Sequence, residues 1–198
     1  MANLFYRGQF DYYKVRSLNK SLESINEQYA FDSAYNLQKT KVFLSHNHDD
    51  LEDLKGVIGL LEEEFNVNVY IDSKDETMPK TTSGETASQI KTRIKKCDKF
   101  ILLATNGAIE SKWCNWELGF GDANKFENNN LALFPMCDKA YSESSYKGNE
   151  YLEVYPFIVY EAGYSKFDNG SCIPKGYYVV TRKNGINHYK SLEKWLVS

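Results

Sequence analysis

Glu117 sits where a solvated carboxylate does not belong. In the stretch ESKWCNWELGFGDAN, residues 110–124, a helical wheel at about 100° per residue gathers Lys112, Asn115, Gly119 and Asp122 on one side. Trp113, Cys114, Trp116, Leu118, Phe120 and Gly121 fill the remaining arc. Glu117 falls near the middle of that arc, four residues from Trp113, three from Phe120 and next to Trp116 in sequence, so it projects from the aromatic face. A carboxylate placed among rings can stabilise a developing cation or bond to it briefly. Two plainer readings stand beside this one: a core carboxylate neutralised by Lys or Arg, or a short helix whose apolar side is partly open. Cys114 is a second nucleophile type in the stretch, but no histidine lies close in sequence and buried thiols are mostly inert.

The elements that must carry this helix alternate in type. KVFLSH, from Lys41, is a short apolar run that stops in the polar loop His46 to Asp49, as a buried strand followed by a loop. Residues 49–65 place Leu51, Leu54, Val57, Ile58, Leu60, Leu61 and Phe65 at helical spacing. A strand over Val67 to Asp72, a polar loop SKDETMPKTTSG and a helix from about Glu85 to Cys97 follow, with Thr82 and Glu85 spaced as a capping box. KFILLAT is a continuous apolar strand from Lys99 to Thr105. Ser111 is the expected N-cap of the aromatic helix, which runs to about Asn124, and LALFPM is a further strand at 131–136. This alternation predicts an α/β fold with a parallel sheet covered on both faces. Ligands of open α/β sheets bind beyond the carboxyl ends of the strands. That rule brings Ser45–Asp49, Asp72–Gly84 and Thr105–Ser111 to one rim, where the aromatic helix begins. No G-x-G-x-x-G or G-x-x-x-x-G-K follows a strand, which argues against a standard dinucleotide fold and a P-loop.

The flanks carry weaker signals. Residues 1–40, with a weak helical pattern through Leu18, Leu22, Ile25 and Tyr29, read as an N-terminal arm that packs on the domain or mediates assembly. Residues 41–137 form the core. Residues 138–198 are expected to cover a sheet edge: a helix or extended segment over 149–160, a strand from Tyr177 to Arg182, a hairpin turn at Asn184-Gly185, a strand Ile186 to Tyr189 and a terminal helix SLEKWL. His188 reads as structural.

Composition narrows the classes. At 198 residues, 42% hydrophobic and 26% charged, the chain suits one globular domain. A net charge of -3 and a pI near 5.7 give no field to gather nucleic acid, and Lys91, Arg93, Lys95 and Lys96 read as a solvated helix face. No apolar run approaches the roughly 18 residues of a membrane span, and the first 30 residues lack a signal-peptide core, so no membrane association and a cytoplasmic location are expected. Cys97, Cys114, Cys137 and Cys172 are widely separated, with no C-x-x-C pair, which predicts four reduced thiols and no metal site.

Four blocks in order, KVFLSH, VNVYID, KCDKFILLAT and SKWCNWELG, resemble the TIR domain family, specifically its short bacterial members, over about residues 41–137. The resemblance implies a flavodoxin-like three-layer fold with a central parallel sheet. It implies that the loop after the core's second strand is the BB loop used in self-association, and hence a homo-oligomer. Many TIR domains cleave NAD+ between nicotinamide and ribose with a glutamate that Glu117 matches. By the same resemblance the substrate cleft is lined by Ser45 and His46, by Asp72, Ser83 and Thr86 near the BB loop, and by Trp113. NAD+ is then substrate, with no cofactor and no metal. The products are nicotinamide with ADP-ribose or a cyclic isomer of it, in antiviral defence, where a separately encoded effector reads the product. Two other classes stand beside this enzyme: a non-enzymatic TIR interaction module, and an N-glycosyl enzyme resembling nucleoside 2-deoxyribosyltransferases.

Overall fold

Strand runs that are apolar on both faces need helices on both sides, and the computed structural model places them there. It describes residues 4–17, 39–71, 84–140, 142–167 and 169–198. In chain order the elements are β1 (Phe5–Tyr6), α1 (Asp11–Ser17), β2 (Lys41–Ser45), a 3-10 turn (His48–Asp50), α2 (Leu51–Phe65), β3 (Asn68–Tyr70), α3 (Gly84–Lys96), β4 (Lys99–Ala104), α4 (Asn106–Glu110) and α5 (Lys112–Gly121). A π turn (Asp122–Phe126), β5 (Leu131–Cys137), a 3-10 turn (Glu143–Ser145), α6 (Asn149–Val154), β6 (Phe157–Glu161), β7 (Gly176–Lys183), β8 (Ile186–Ser191) and α7 (Leu192–Leu196) complete them. The expected capping residue Thr82 and the pattern through Leu18, Leu22, Ile25 and Tyr29 lie outside the described residues.

Among the described residues the sheet runs β3-β2-β4-β5-β6-β7-β8, with β1 pairing β5 off this path. Pairing is parallel from β3 to β6 and antiparallel for β7 and β8. The chain leaves β2 toward β3 and leaves β4 toward β5, so the crossovers diverge at the β2/β4 boundary. This is the flavodoxin-like order, and its crevice opens at the carboxyl ends of those two strands. The 149–160 segment resolves into a helix followed by a strand, α6 and β6. The Asn184-Gly185 turn has φ of 53° and 77°, the left-handed pair that a two-residue hairpin needs.

Two apolar layers flank the sheet. Val42, Leu44, Ile101 and Leu103 face one layer, with Leu54, Val57 and Leu61 of α2, and Phe43, Phe100, Leu102 and Ala104 face the other, with Ile90 of α3 and Leu118 of α5. Residues of the N-terminal segment enter the first layer. Phe5 stacks on Phe134 at 4.5 Å between centroids, and Phe10 meets both rings edge-on. Segment α1 then lies almost backbone to backbone on α2. A Cβ at Gly56 would come within 2.8 Å of the Phe10 carbonyl oxygen, and one at Gly59 within 2.8 Å of that of Tyr13. Gly56→Val is therefore expected to lift this segment from α2 and to lower stability by about 1–3 kcal/mol, read as a fall in the urea midpoint. An unchanged midpoint would show that the contact contributes nothing.

Candidate active site

Strand parity decides which layer Ser45 enters. Alternate residues of a strand face opposite sides, so Ser45, two beyond Phe43, shares the layer of α3 and α5. It is the last residue of β2, fully buried, and is opposite Leu102 of β4 at the crevice. Helix α5 is started by Ser111, whose hydroxyl accepts from the Cys114 amide. Its buried stripe is Cys114, Glu117, Leu118 and Gly121. Gly121 lets the helix approach the sheet, because a Cβ there would be 3.0 Å from the Phe100 ring.

These constraints join two side chains 72 positions apart. Ser45 Oγ donates to Glu117 Oε2 at 2.5 Å, and Glu117 is 1% exposed. An ionised acceptor gives a short, strong bond. Beside the buried stripe, Trp113 and Trp116 stack at 4.9 Å and Trp116 and Phe120 at 6.3 Å, all three half-buried. They are thus neither wholly core nor free surface. Lys91 of α3 lies 5.6 Å from the centres of both the Trp116 and Phe120 rings, a cation on an aromatic face. His46 is 6% exposed, with Nδ1 3.4 Å from the Leu44 carbonyl oxygen. Thr86 is half-buried in the first turn of α3. Asp72 and Ser83 lie outside the described residues.

The structure adds a polar network beside this pair. Asp50, 1% exposed, accepts from Thr105 Oγ1 at 2.5 Å, and the Thr105 hydroxyl accepts from the Ala108 amide to cap α4. Arg7 reaches the same Asp50 at 2.6 Å, Asp53 at 2.7 Å and Asp138 at 3.3 Å. Burial works to lower the Arg7 pKa, but the three carboxylates overcome it and hold the guanidinium above its ordinary value. On the far side Tyr146 donates to the Ala104 carbonyl, and burial pushes its hydroxyl up. Sequence reading missed Asp50 because HNHDD resembles a solvated loop, and missed Arg7 because it is 43 residues distant. The one local signal was Thr105, standing three before Ala108 as an N-cap should.

A hollow of about 400 Å³ lies at the opposite, amino end of the sheet, lined by residues including Lys95, Lys96 and Lys125. Lys125 donates there to the carbonyls of Lys95 and Cys97 at the end of α3, as a helix C-terminal cation does. That hollow is remote from Glu117. Cys97, Cys114, Cys137 and Cys172 are free thiols. Among the described residues no group of three His, Cys, Asp or Glu could hold a metal ion, and no helix is long and apolar enough to cross a membrane.

A mostly parallel α/β sheet with a buried carboxylate at its switch point defines a class of crevice-bearing domain. Within that class the chain belongs to the TIR domain family, whose model matches residues 42–161, from β2 to the end of β6. It is similar to a protein named "Probable 3' cyclic ADP-D-ribose synthase ThsB'" from Bacillus cereus (strain MSX-D12). The two are 31% identical over 157 residues, covering 71% of this chain and 79% of the relative.

The Ser45–Glu117 bond makes a direct prediction. A double-mutant cycle with Ser45→Ala and Glu117→Gln, followed by urea denaturation at pH 7, should give a coupling of about 1.5–3 kcal/mol, as for a hydrogen bond to a charged group. Additive effects would show that the two side chains are not joined energetically.

Proposed function

We propose that this TIR domain is an NAD+-cleaving enzyme with Glu117 as its catalytic carboxylate. The observation that carries the reading is the buried Ser45–Glu117 pair at the carboxyl ends of β2 and β4, where an open α/β sheet takes its ligand. The name of the Bacillus cereus relative supports the substrate, and it favours a cyclic ADP-ribose product over free ADP-ribose.

The chemistry needs little from the protein. The bond between ribose C1′ and the pyridinium nitrogen breaks, both electrons go to nitrogen, and nicotinamide leaves neutral. No acid has to protonate it. The ribose is left as an oxocarbenium-like cation, as in other glycosidic cleavages. Glu117 stabilises that charge or bonds to C1′ for a moment. Capture by water gives ADP-ribose, capture by a hydroxyl of the same molecule gives a cyclic isomer, and either route releases one proton. Ser45 fixes the carboxylate by donating to one oxygen. The stack of Trp113, Trp116 and Phe120 lowers the local dielectric, which strengthens the attraction between carboxylate and cation. Trp113, His46 and Thr86, with Asp72 and Ser83, are the proposed lining of the substrate path.

Purified protein incubated with NAD+ is expected to release nicotinamide, and chromatography of the second product distinguishes ring closure from hydrolysis. Glu117→Gln should lower turnover by about three orders of magnitude or more. Its melting temperature should match or exceed that of the native chain, because a buried charge has been removed. A variant that unfolds yet retains specific activity in its folded fraction would make Glu117 structural. Deoxynucleosides serve as the second substrate arm, and release of base from them alone would favour the deoxyribosyltransferase-like reading.

Family resemblance supports assembly through the loop between β3 and α3, a signalling role for the product in antiviral defence, and a separately encoded effector that reads it. We further propose that residues 1–40 act as an arm on the core. If one subunit's loop completes its neighbour's cleft, deleting residues 75–82 should abolish turnover while leaving a cooperative thermal transition. Native turnover in that variant would mean the cleft is complete within one chain.

A further inference from the structure

The loop that begins with Ser45 is fixed at both ends. At its start Ser45 donates to Glu117. At its finish Asp50 is clamped between Thr105 of the neighbouring rim loop and Arg7 of the N-terminal segment. The Asp50 amide also donates to the Asn47 carbonyl at 2.9 Å, so the turn between is closed on itself.

Arg7 is itself rigidly placed. Phe5 and Tyr6 pair with Met136 and Cys137, and the Arg7 amide donates to the Cys137 carbonyl at 3.1 Å. The Gly8 amide donates to Asp53 Oδ1 at 2.8 Å. From this base one guanidinium spans three elements: the 3-10 turn through Asp50, α2 through Asp53, and the segment after β5 through Asp138. The Asp138 pair is largely exposed and worth little. The Asp50 pair is different, since removing the cation strands a buried carboxylate beside a second one.

We propose that Arg7 is a positioning residue for the Glu117 site, acting through Asp50 to hold the Ser45–Asp50 loop and the start of α4 in one arrangement. It touches neither Glu117 nor Ser45, so its effect travels through Asp50 and Thr105. The N-terminal segment thereby becomes part of the reaction's scaffold, although residue 7 precedes the family match. The proposal rests on the NAD+-cleaving reading for its activity arm and on the structure alone for its second arm.

In the activity arm, Arg7→Ala is expected to lower nicotinamide release from NAD+ about 30-fold, mainly in kcat, as a misplaced loop does. Arg7→Lys should recover only a minor part of this, because a point charge cannot fork between Asp50 and Asp53. Millimolar guanidinium chloride, but not sodium chloride at the same ionic strength, should restore Arg7→Ala, since the Arg7 side chain is 34% exposed and its site is reachable. In the second arm, amide hydrogen exchange of Arg7→Ala without substrate should quicken by about tenfold or more at Asp50 and Ala108 while Leu102 in β4 stays protected. Native exchange at Asp50 and Ala108 would overturn the proposal. So would turnover within twofold of native, or a loss that guanidinium does not relieve and that follows the unfolded fraction. If the native chain releases no nicotinamide, the NAD+ reading fails, and the exchange arm alone decides the clamp.

Discussion

Keeping a carboxylate at 1% exposure is the constraint that organises this rim. Withdrawing a charged carboxylate from water costs several kcal/mol even after relaxation, while one hydrogen bond to a charged group returns about 1.5–3 kcal/mol. The Ser45 hydroxyl therefore offsets only part of the cost of Glu117. The remainder is carried by the apolar layer around it, where Phe43 stacks on Phe100 at 5.6 Å and Gly121 closes over Phe100. A site made this way is a net drain on stability. It persists because the surrounding strands and helices fix its position without help from the carboxylate.

The rim solves the same electrostatic problem twice, with different chemistry. Asp50, equally buried, is met by a guanidinium as well as by the Thr105 hydroxyl. That arrangement neutralises charge and spans three elements, which suits a strut. Glu117 receives from Ser45 a hydrogen bond that brings no charge. A hydroxyl donor of this kind orients the carboxylate without itself supplying a counter-charge. One acid lies in the 3-10 turn after β2 and the other on α5, and their partners differ in charge where their burial does not.

Much of the core was legible because periodicity and punctuation agree there. The run FILLA marked a central strand, Ser111 marked the start of α5, and the wheel put Glu117 among rings. The wheel alone could not tell that Glu117 shares the buried stripe of Cys114, Leu118 and Gly121 while the three aromatic rings form a half-buried stripe beside it, because that depends on how close the helix lies to the sheet. Arg7, Asp50 and the Gly56/Gly59 contact were opaque for a similar reason. Each acquires meaning only from a partner far along the chain, and neither an acidic loop nor a glycine inside a helix declares what will approach it.

The pairing of Ser45 with Glu117 is finally a matter of register. The two residues are 72 apart in sequence, and no local propensity links them. Their meeting requires β2 to lie on β4 with Phe43 opposite Phe100 and Ser45 opposite Leu102. A slip of one residue would turn Ser45 into the α2 layer and send Phe43 with it. The alternation of Val42 and Leu44 against Phe43, each fitted to a different layer, makes that slip expensive. The apolar residues of β2 thus do more than fill the core. By fixing which way the last residue of the strand points, they decide whether the carboxylate on α5 finds a hydroxyl or only hydrocarbon.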